Sequence, residues 1–503
     1  MQATKSQPPA GRGGGKSGVR PGVPPARGKG TSLPGRRNPQ RPGGLRLVLP
    51  AVLALALTLG GCARVSPPDR DLAQRLEYDR LTAERYRLDP RWWLGYDDPR
   101  LAGLVETAEK NNLDLARTAL TLSRALVQLG LARVDLYPGL SGGGSASVRK
   151  DLKNGGDPAR SFSVNAGVSY EADLWGRIAG SVAAAEWERE ASHEDLEAAR
   201  LAVVNNVIDL YYNLGYLNDT LAENERNLQN LLAVERTVLL KYQSGQADSV
   251  EPVQAAQSVL SARDSLISTR RQILEARSAL RNLLNLRPAD PLDLADVSLR
   301  TVVPPKLDLD VPLSVLANRP DLRAAEFRLH KAFQNARLAD RAWFPSISLS
   351  SAISSSADDL GMVLASPSGS AGLSINLPFL NWATLVKNTR LAEIEFETAR
   401  LGFESALTAA LNEVDVYYRN YETLLQLLEH SRRKYDHALR ISDYYRDRYR
   451  EGASELSDWL GAVNSANSAR LSELNAVYLL ISSVNQTFKA MAGRYHDLGA
   501  DAG

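Results

Sequence analysis

With 503 residues, 44% of them hydrophobic and 23% charged, the chain can bury a large core, and length alone would allow two or three domains. The formal net charge of +2 hides an asymmetry: residues 1–61 hold ten Lys and Arg and no acid, which leaves 50 basic against 58 acidic residues after them. The body of the chain is therefore acidic, no nucleic-acid partner is expected, and a single cysteine, Cys62, excludes a disulfide framework.

Met1 to Gly44 is dominated by Gly, Pro and Arg, too poor in apolar side chains to offset the entropy of ordering. It reads either as a disordered extension or as an over-extended start. Gly15, Lys16 and Ser17 resemble the end of a phosphate loop, but Ala10 stands where the first glycine is needed and no strand precedes it. Arg46 is followed by the apolar run Leu47 to Leu59, 13 residues, too short for the ~30 Å core of a bilayer and suited to a signal peptide. Leu59, Gly60, Gly61 and Cys62 then resemble a lipobox, so Cys62 is expected to become the lipidated N-terminal residue. More than one acyl chain, at about 0.8 kcal/mol per buried CH₂, would give a stable anchor. Ala63 stands where an Asp would signal inner-membrane retention, which points to the outer membrane. Residues 1–61 thus read as a basic extension plus lipoprotein signal peptide, and 62–99 as an N-terminal anchor segment.

Beyond that point the chain repeats itself at an offset of 207 residues. Asp114 matches Asp321, Tyr137-Pro138 matches Phe344-Pro345, Val207 matches Val414, Tyr211 matches Tyr418, and Tyr242-x-x-Gly245 matches Tyr449-x-x-Gly452. Residues 100–286 and 313–495 form two similar halves, followed by a tail, 496–503. The linker between them, 287–312, contains Pro288, Pro291, Pro304, Pro305 and Pro312 and cannot be continuous helix. Each half predicts a helix of three dozen residues or fewer ending at Pro138 or Pro345, two strands, a very long helix, a Tyr-x-x-Gly turn and another helix.

The long helices carry a heptad signal. Val203, Leu210, Leu217 and Leu231 hold one seam position and Val207, Leu214, Leu221 and Leu228 the other; in the second half Phe403, Ala410, Tyr417 and Leu424 face Leu407, Val414, Tyr421 and Leu428. Ile178 to Gln243 is free of Pro and would extend about 100 Å as a helix. Alone, such helices would read as a scaffold coiled coil. Four stretches of period-2 alternation argue otherwise: Ser161 to Leu174, Ser368 to Leu377, Ser346 to Ile353 and the Gly-rich Leu140 to Val148. Apolar side chains on one face and small polar ones on the other suit a barrel with lipid outside and water inside. Four strands leave open edges, which hydrocarbon does not tolerate, so oligomerisation must close the sheet. Two chains would give eight strands and a filled lumen; three would give twelve and a bore, and three is expected.

These features resemble the TolC-like outer-membrane efflux factors, in particular the lipoprotein branch, over roughly Trp92 to Ala492. The resemblance is carried by Trp92-Trp93 with Asp98-Pro99, by Tyr170, Glu171, Asp173, Leu174, Trp175 and Gly176, by Arg319-Pro320-Asp321-Leu322 with Ala324, Ala325 and Glu326, and by Phe344-Pro345-Ser346. It implies an α+β membrane protein: a trimeric channel-tunnel with a 12-stranded outer-membrane β-barrel, four strands per chain, and a long periplasmic α-helical coiled-coil barrel. It also implies a passive duct for small molecules such as drugs or toxic solutes. The partners implied are two further copies of the chain, outer-membrane lipids, a periplasmic adaptor and an inner-membrane pump of the resistance-nodulation-division type. A type I protein-secretion duct, with the same fold and a different pump, is the alternative.

In that family the Tyr-x-x-Gly turns lie at the periplasmic tip, so Tyr242, Gly245, Tyr449 and Gly452 are expected at the adaptor-contact region. Glu251 and Asp458, each six residues after the turn glycine, occupy the place of the family's constriction aspartates and are expected to line a ring of acids. Gly461 and Ser454 replace a second Asp and an Arg of the TolC form, and Leu380, Asn381 and Ala383 depart from the family's usual turn after Leu377-Pro378. No enzyme motif is present: neither G-x-S-x-G, H-E-x-x-H nor a cysteine nucleophile with a base. No cofactor or metal is expected, His430 and His437 reading as solvated residues on one helix.

Overall fold

The computed structural model describes residues 86–497 except 154, 156, 293, 295, 296, 306 and 308–312. Cys62, the signal-like segment before it, residues 62–85 of the anchor segment and part of the Pro-rich linker lie outside the described residues.

Asp98 starts the first helix, α1 (Pro99–Asn111), by accepting the N–H groups of Arg100 and Leu101 at 3.0 and 3.2 Å, with Pro99 at the first helical position where its missing N–H costs nothing. The single helix predicted up to Pro138 is instead two. Asn112 accepts the N–H groups of Asp114 and Leu115, both at 3.0 Å, and so opens α2 (Leu113–Val134), while its own amide donates to the Leu283 carbonyl at 2.8 Å. A side chain that satisfies a new helix start and a tertiary acceptor makes the break more favourable than continuing.

Two strands follow, β2 (Gly139–Arg149) and β3 (Ala159–Ala172), then the 67-residue α3 (Arg177–Gln243) and α4 (Val250–Leu283). The second half gives α5 (Pro320–Arg341), β4 (Ser346–Ala357), β5 (Ser368–Asn376), the 69-residue α6 (Trp382–Arg450) and α7 (Leu456–Ala490). α2 and α5, of 22 residues each, are displaced by 207 at both ends. A further pairing had no sequence signal: Tyr86–Asp89 (β1) lies antiparallel to Arg494–Asp497 (β6).

The four-stranded sheet is antiparallel in the order β2-β3-β4-β5. Gly139 faces Ser169 and Ser346 faces Asn376, so the two hairpins share one register, again displaced by 207. The halves meet through β3 and β4, where Ala172 faces Ile347, and through α3 and α5. There Trp187 stacks on Phe327 at 5.7 Å between centroids, and Lys331 pairs with Glu188 at 2.9 Å. Gly180 allows the close approach, since a Cβ on it would stand 2.7 Å from Leu338 Cδ2.

The heptad seam is observed in the core: Val203, Val207, Leu214, Leu217 and Leu231 are buried in the first half, and Phe403, Ala410, Val414, Leu424 and Leu428 in the second. The largest cluster also contains Trp92, Trp93 and Tyr96. A polar node sits within it. Asn485 accepts the Trp92 indole N–H at 3.0 Å and donates to the Asn205 carbonyl at 3.1 Å and to Asp209 at 2.9 Å. Ser482 and Asn205 also donate to Asp209, each at 3.2 Å.

Burial holds the Asp209 carboxyl above its ordinary range, and the donors Asn485, Ser482 and Asn205 offset part of that rise. A raised acid is protonated more readily in the fold than in the unfolded chain. Its contribution to stability is therefore complete below about pH 4 and is lost as the pH rises through the folded value. Asp209→Asn should flatten the stability–pH curve above about pH 4, measured by thermal unfolding. An unchanged slope would contradict this assignment.

Candidate functional site

The long helices end alike. Gly245 and Gly452 adopt left-handed φ of 73° and 76°, a region that a Cβ disfavours. The N–H groups of Gly245 and Gln246 return to the carbonyls of Tyr242 (3.0 Å) and Lys241 (2.8 Å), and those of Gly452 and Ala453 to Tyr449 (3.1 Å) and Arg448 (2.8 Å). This double closure satisfies the last helical carbonyls and reverses the chain. Glu251 and Asp458 then both fall in the first turn of the following helix, where the aligned N–H dipoles favour a carboxylate.

Side chains break the equivalence. Tyr449 is buried, lies 5.3 Å from the Trp459 ring and donates its hydroxyl to Glu251 at 2.6 Å. The Lys241 ammonium sits 4.3 Å from the centre of the Tyr449 ring and also donates to the Tyr449 carbonyl. Burial, then the Glu251 carboxylate, hold the Tyr449 phenol above its ordinary range, so it remains a neutral donor at physiological pH. Tyr242 is instead exposed, and the exposed Asp458 carboxylate makes no hydrogen bond or ion pair among the described residues. Around these groups Val234 and Val238 of α3, Ala255 and Val259 of α4, and Leu456 and Leu460 of α7 share one apolar cluster. The structure thus brings Tyr449 and Glu251 together and leaves Tyr242 and Asp458 outside the contact. Lys241 and Trp459 were not picked out from sequence; the basic residue before each turn tyrosine, Lys241 and Arg448, was the available signal.

At the other end of the long helices the motif residues do structural work. Asp173 accepts the N–H groups of Ile178 (3.0 Å) and Ala179 (2.8 Å) behind Gly176, whose φ is 67°. Trp175 stacks on Phe344 at 4.8 Å and donates to the Pro345 carbonyl at 2.7 Å, tying the two halves where strands become helices. In the second half, where Leu380, Asn381 and Ala383 depart from the pattern, the chain enters α6 through the 3₁₀ turn Pro378–Asn381, and Thr384 donates to Asn381 at 3.0 Å. Arg319 pairs with Glu413 at 2.9 Å and Asp321 at 2.8 Å and donates to the Ala490 carbonyl at 2.9 Å, joining α5, α6 and α7.

The sheet has two chemically distinct faces. Val164, Val168, Leu349, Ile353, Leu373 and Ile375 line one face and are 37–64% exposed. The other carries Ser145, Ser163, Asn165, Ser348, Ser350 and Ser354, with Ser145 and Ser163 hydroxyls 2.8 Å apart. Among the described residues no helix is long and apolar enough to cross a membrane.

A family model for outer membrane efflux proteins matches residues 104–286 and 311–493, stretches displaced by 207 at both ends. The chain belongs to the outer membrane efflux protein family. It is 36% identical over 448 residues to toxin and drug export protein A of Aggregatibacter actinomycetemcomitans, covering 89% of this chain and 98% of that protein. The outer-membrane channel OprN shares the fold with a TM-score of 0.75 at 23% identity, over 81% of this chain and 93% of that one. A crystal structure of the transmembrane channel CusC gives a TM-score of 0.72 at 26% identity, over 79% and 93%. This efflux protein is therefore an outer-membrane channel component, and its fold class, four strands and long helices per chain, is the one these channels share.

Proposed function

We propose that three copies close a twelve-stranded barrel in the outer membrane and form a passive duct that exports small molecules such as drugs or toxic solutes. The observation that carries this reading is the four-stranded sheet with two free edges, apolar on one face and serine-rich on the other. Hydrocarbon demands that every backbone group be paired, and three such sheets joined edge to edge meet that demand while leaving a bore. A periplasmic adaptor and an inner-membrane pump of the resistance-nodulation-division type complete the machine, with Tyr242, Gly245, Tyr449 and Gly452 near the adaptor. Cys62 carries the lipid. Glu251 and Asp458 contribute to a ring of six carboxylates at the periplasmic mouth, and the chain acts as a conduit without catalysis.

The name of the Aggregatibacter relative covers toxin as well as drug export, which keeps a duct for secreted protein as the second reading. Native mass measurement in mild detergent tests the architecture. A trimer is expected, and a monomer that retains the fold would refute closure.

A further inference from the structure

The contact between the two halves of one chain supplies a template for the contact between chains. The hairpins β2–β3 and β4–β5 have the same register displaced by 207 residues, and α2 and α5 begin and end 207 apart. Applying that displacement to the α3–α5 contact moves its members onto α6 and onto α2 of a neighbouring copy. The stacked pair Trp187 and Phe327 becomes Ile394 and the partner subunit's Leu120; in the isolated chain these are 49% and 69% exposed. The ion pair of Glu188 with Lys331 becomes Glu395 with the partner subunit's Arg124. Both are exposed, and neither forms an ion pair among the described residues. Acid opposite base and apolar opposite apolar are thus preserved across a contact that a single chain cannot make.

The same displacement can be applied to the free strand edges. Gly167 faces Ala352 within the chain, and the displaced pair is Ser374 with the partner subunit's Ser145. Both lie on the serine-rich face, and the same register sets Leu373 beside the partner subunit's Ala146 on the apolar face. A register shifted by one residue would turn every side chain to the wrong face.

We infer that the seam between protomers repeats the seam within the chain, and that it completes the tip by setting the partner subunit's Tyr242 hydroxyl on Asp458, as Tyr449 sits on Glu251. The two side chains left without partners at the tip are the displaced counterparts of the two that are bonded. A closed trimer would then hold its mouth with six tyrosine–carboxylate bonds, three within chains and three between them. This rests on the trimeric reading above, and specifies which faces and which residues meet.

Cysteine pairs test it in the full-length protein, with Cys62, the sole native cysteine, as background in single-substitution controls. Opposed residues on neighbouring strands lie within disulfide reach, whereas a two-residue slip carries the Cα atoms beyond it. Ser145→Cys with Ser374→Cys should oxidise to a covalent trimer, and Ser147→Cys with Ser374→Cys should not. Tyr242→Cys with Asp458→Cys should give covalent trimers with a short bis-maleimide. If native mass shows a trimer but the slipped strand pair links in preference, the repeated register is overturned while the trimer stands. A strand pair that links beside a silent tip pair would overturn the tyrosine–carboxylate contact between protomers.

Discussion

Channels carrying Glu251→Gln together with Asp458→Asn should lose most of their preference for cations and most of their block by divalent ions added on the periplasmic side. The two residues sit in the first turns of α4 and α7, just past matching left-handed turns, so a threefold assembly would bring six carboxylates to one level. Fixed acids at a constriction concentrate cations, exclude anions and offer a multivalent ion several ligands at once. Neutral amides of the same shape remove the charge without changing the packing. The hydroxyl of Tyr449 still meets an amide oxygen in the Glu251→Gln variant, so fold and assembly should survive. Reversal potentials and divalent titrations in planar bilayers check this, and wild-type selectivity with wild-type block in the double variant would sink the ring.

Asn485→Ala should be the most destabilising single change in the helical body. Its side chain is fully buried and serves the Trp92 indole, the Asn205 carbonyl and the Asp209 carboxylate at once. Truncation leaves the buried Trp92 indole N–H without a partner, which costs about 1–3 kcal/mol, and removes a second donor from the Asn205 helix carbonyl and one from a carboxyl that burial already disfavours as an anion. A total loss of roughly 3–5 kcal/mol is expected. Thermal or denaturant unfolding followed by Trp fluorescence would show it. A loss below about 1 kcal/mol would mean that water takes the place of the amide.

The strands and long helices were legible because both rest on periodicity, two along β3 and β5 and three-four along α3 and α6, and periodicity survives in a bare sequence. The Tyr-x-x-Gly turns were legible because only glycine is at ease at φ near +75°. Asn112 gave no sign of a helix break, since its capping bonds become decisive only when Leu283 is brought beside it. Nothing in Arg494–Asp497 announced a strand, because its partner is some 400 residues earlier in the chain. At the tip the repeat made Tyr242 and Tyr449 look equivalent. The fold separates them, since within one chain the second turn has the first half as a neighbour and the first turn has only solvent on the corresponding side. The node of Trp92, Asn205, Asp209 and Asn485 was missed for a related reason: buried polar residues follow no period and are defined by their partners.

Three copies of this chain should form a conducting pore without help from any other protein. Single-channel recording on the purified trimer in planar bilayers addresses this most directly. Discrete current steps that prefer cations, present in trimer fractions and absent from denatured ones, are the predicted result. A folded, membrane-inserted trimer that passes no current at any applied voltage would contradict the account.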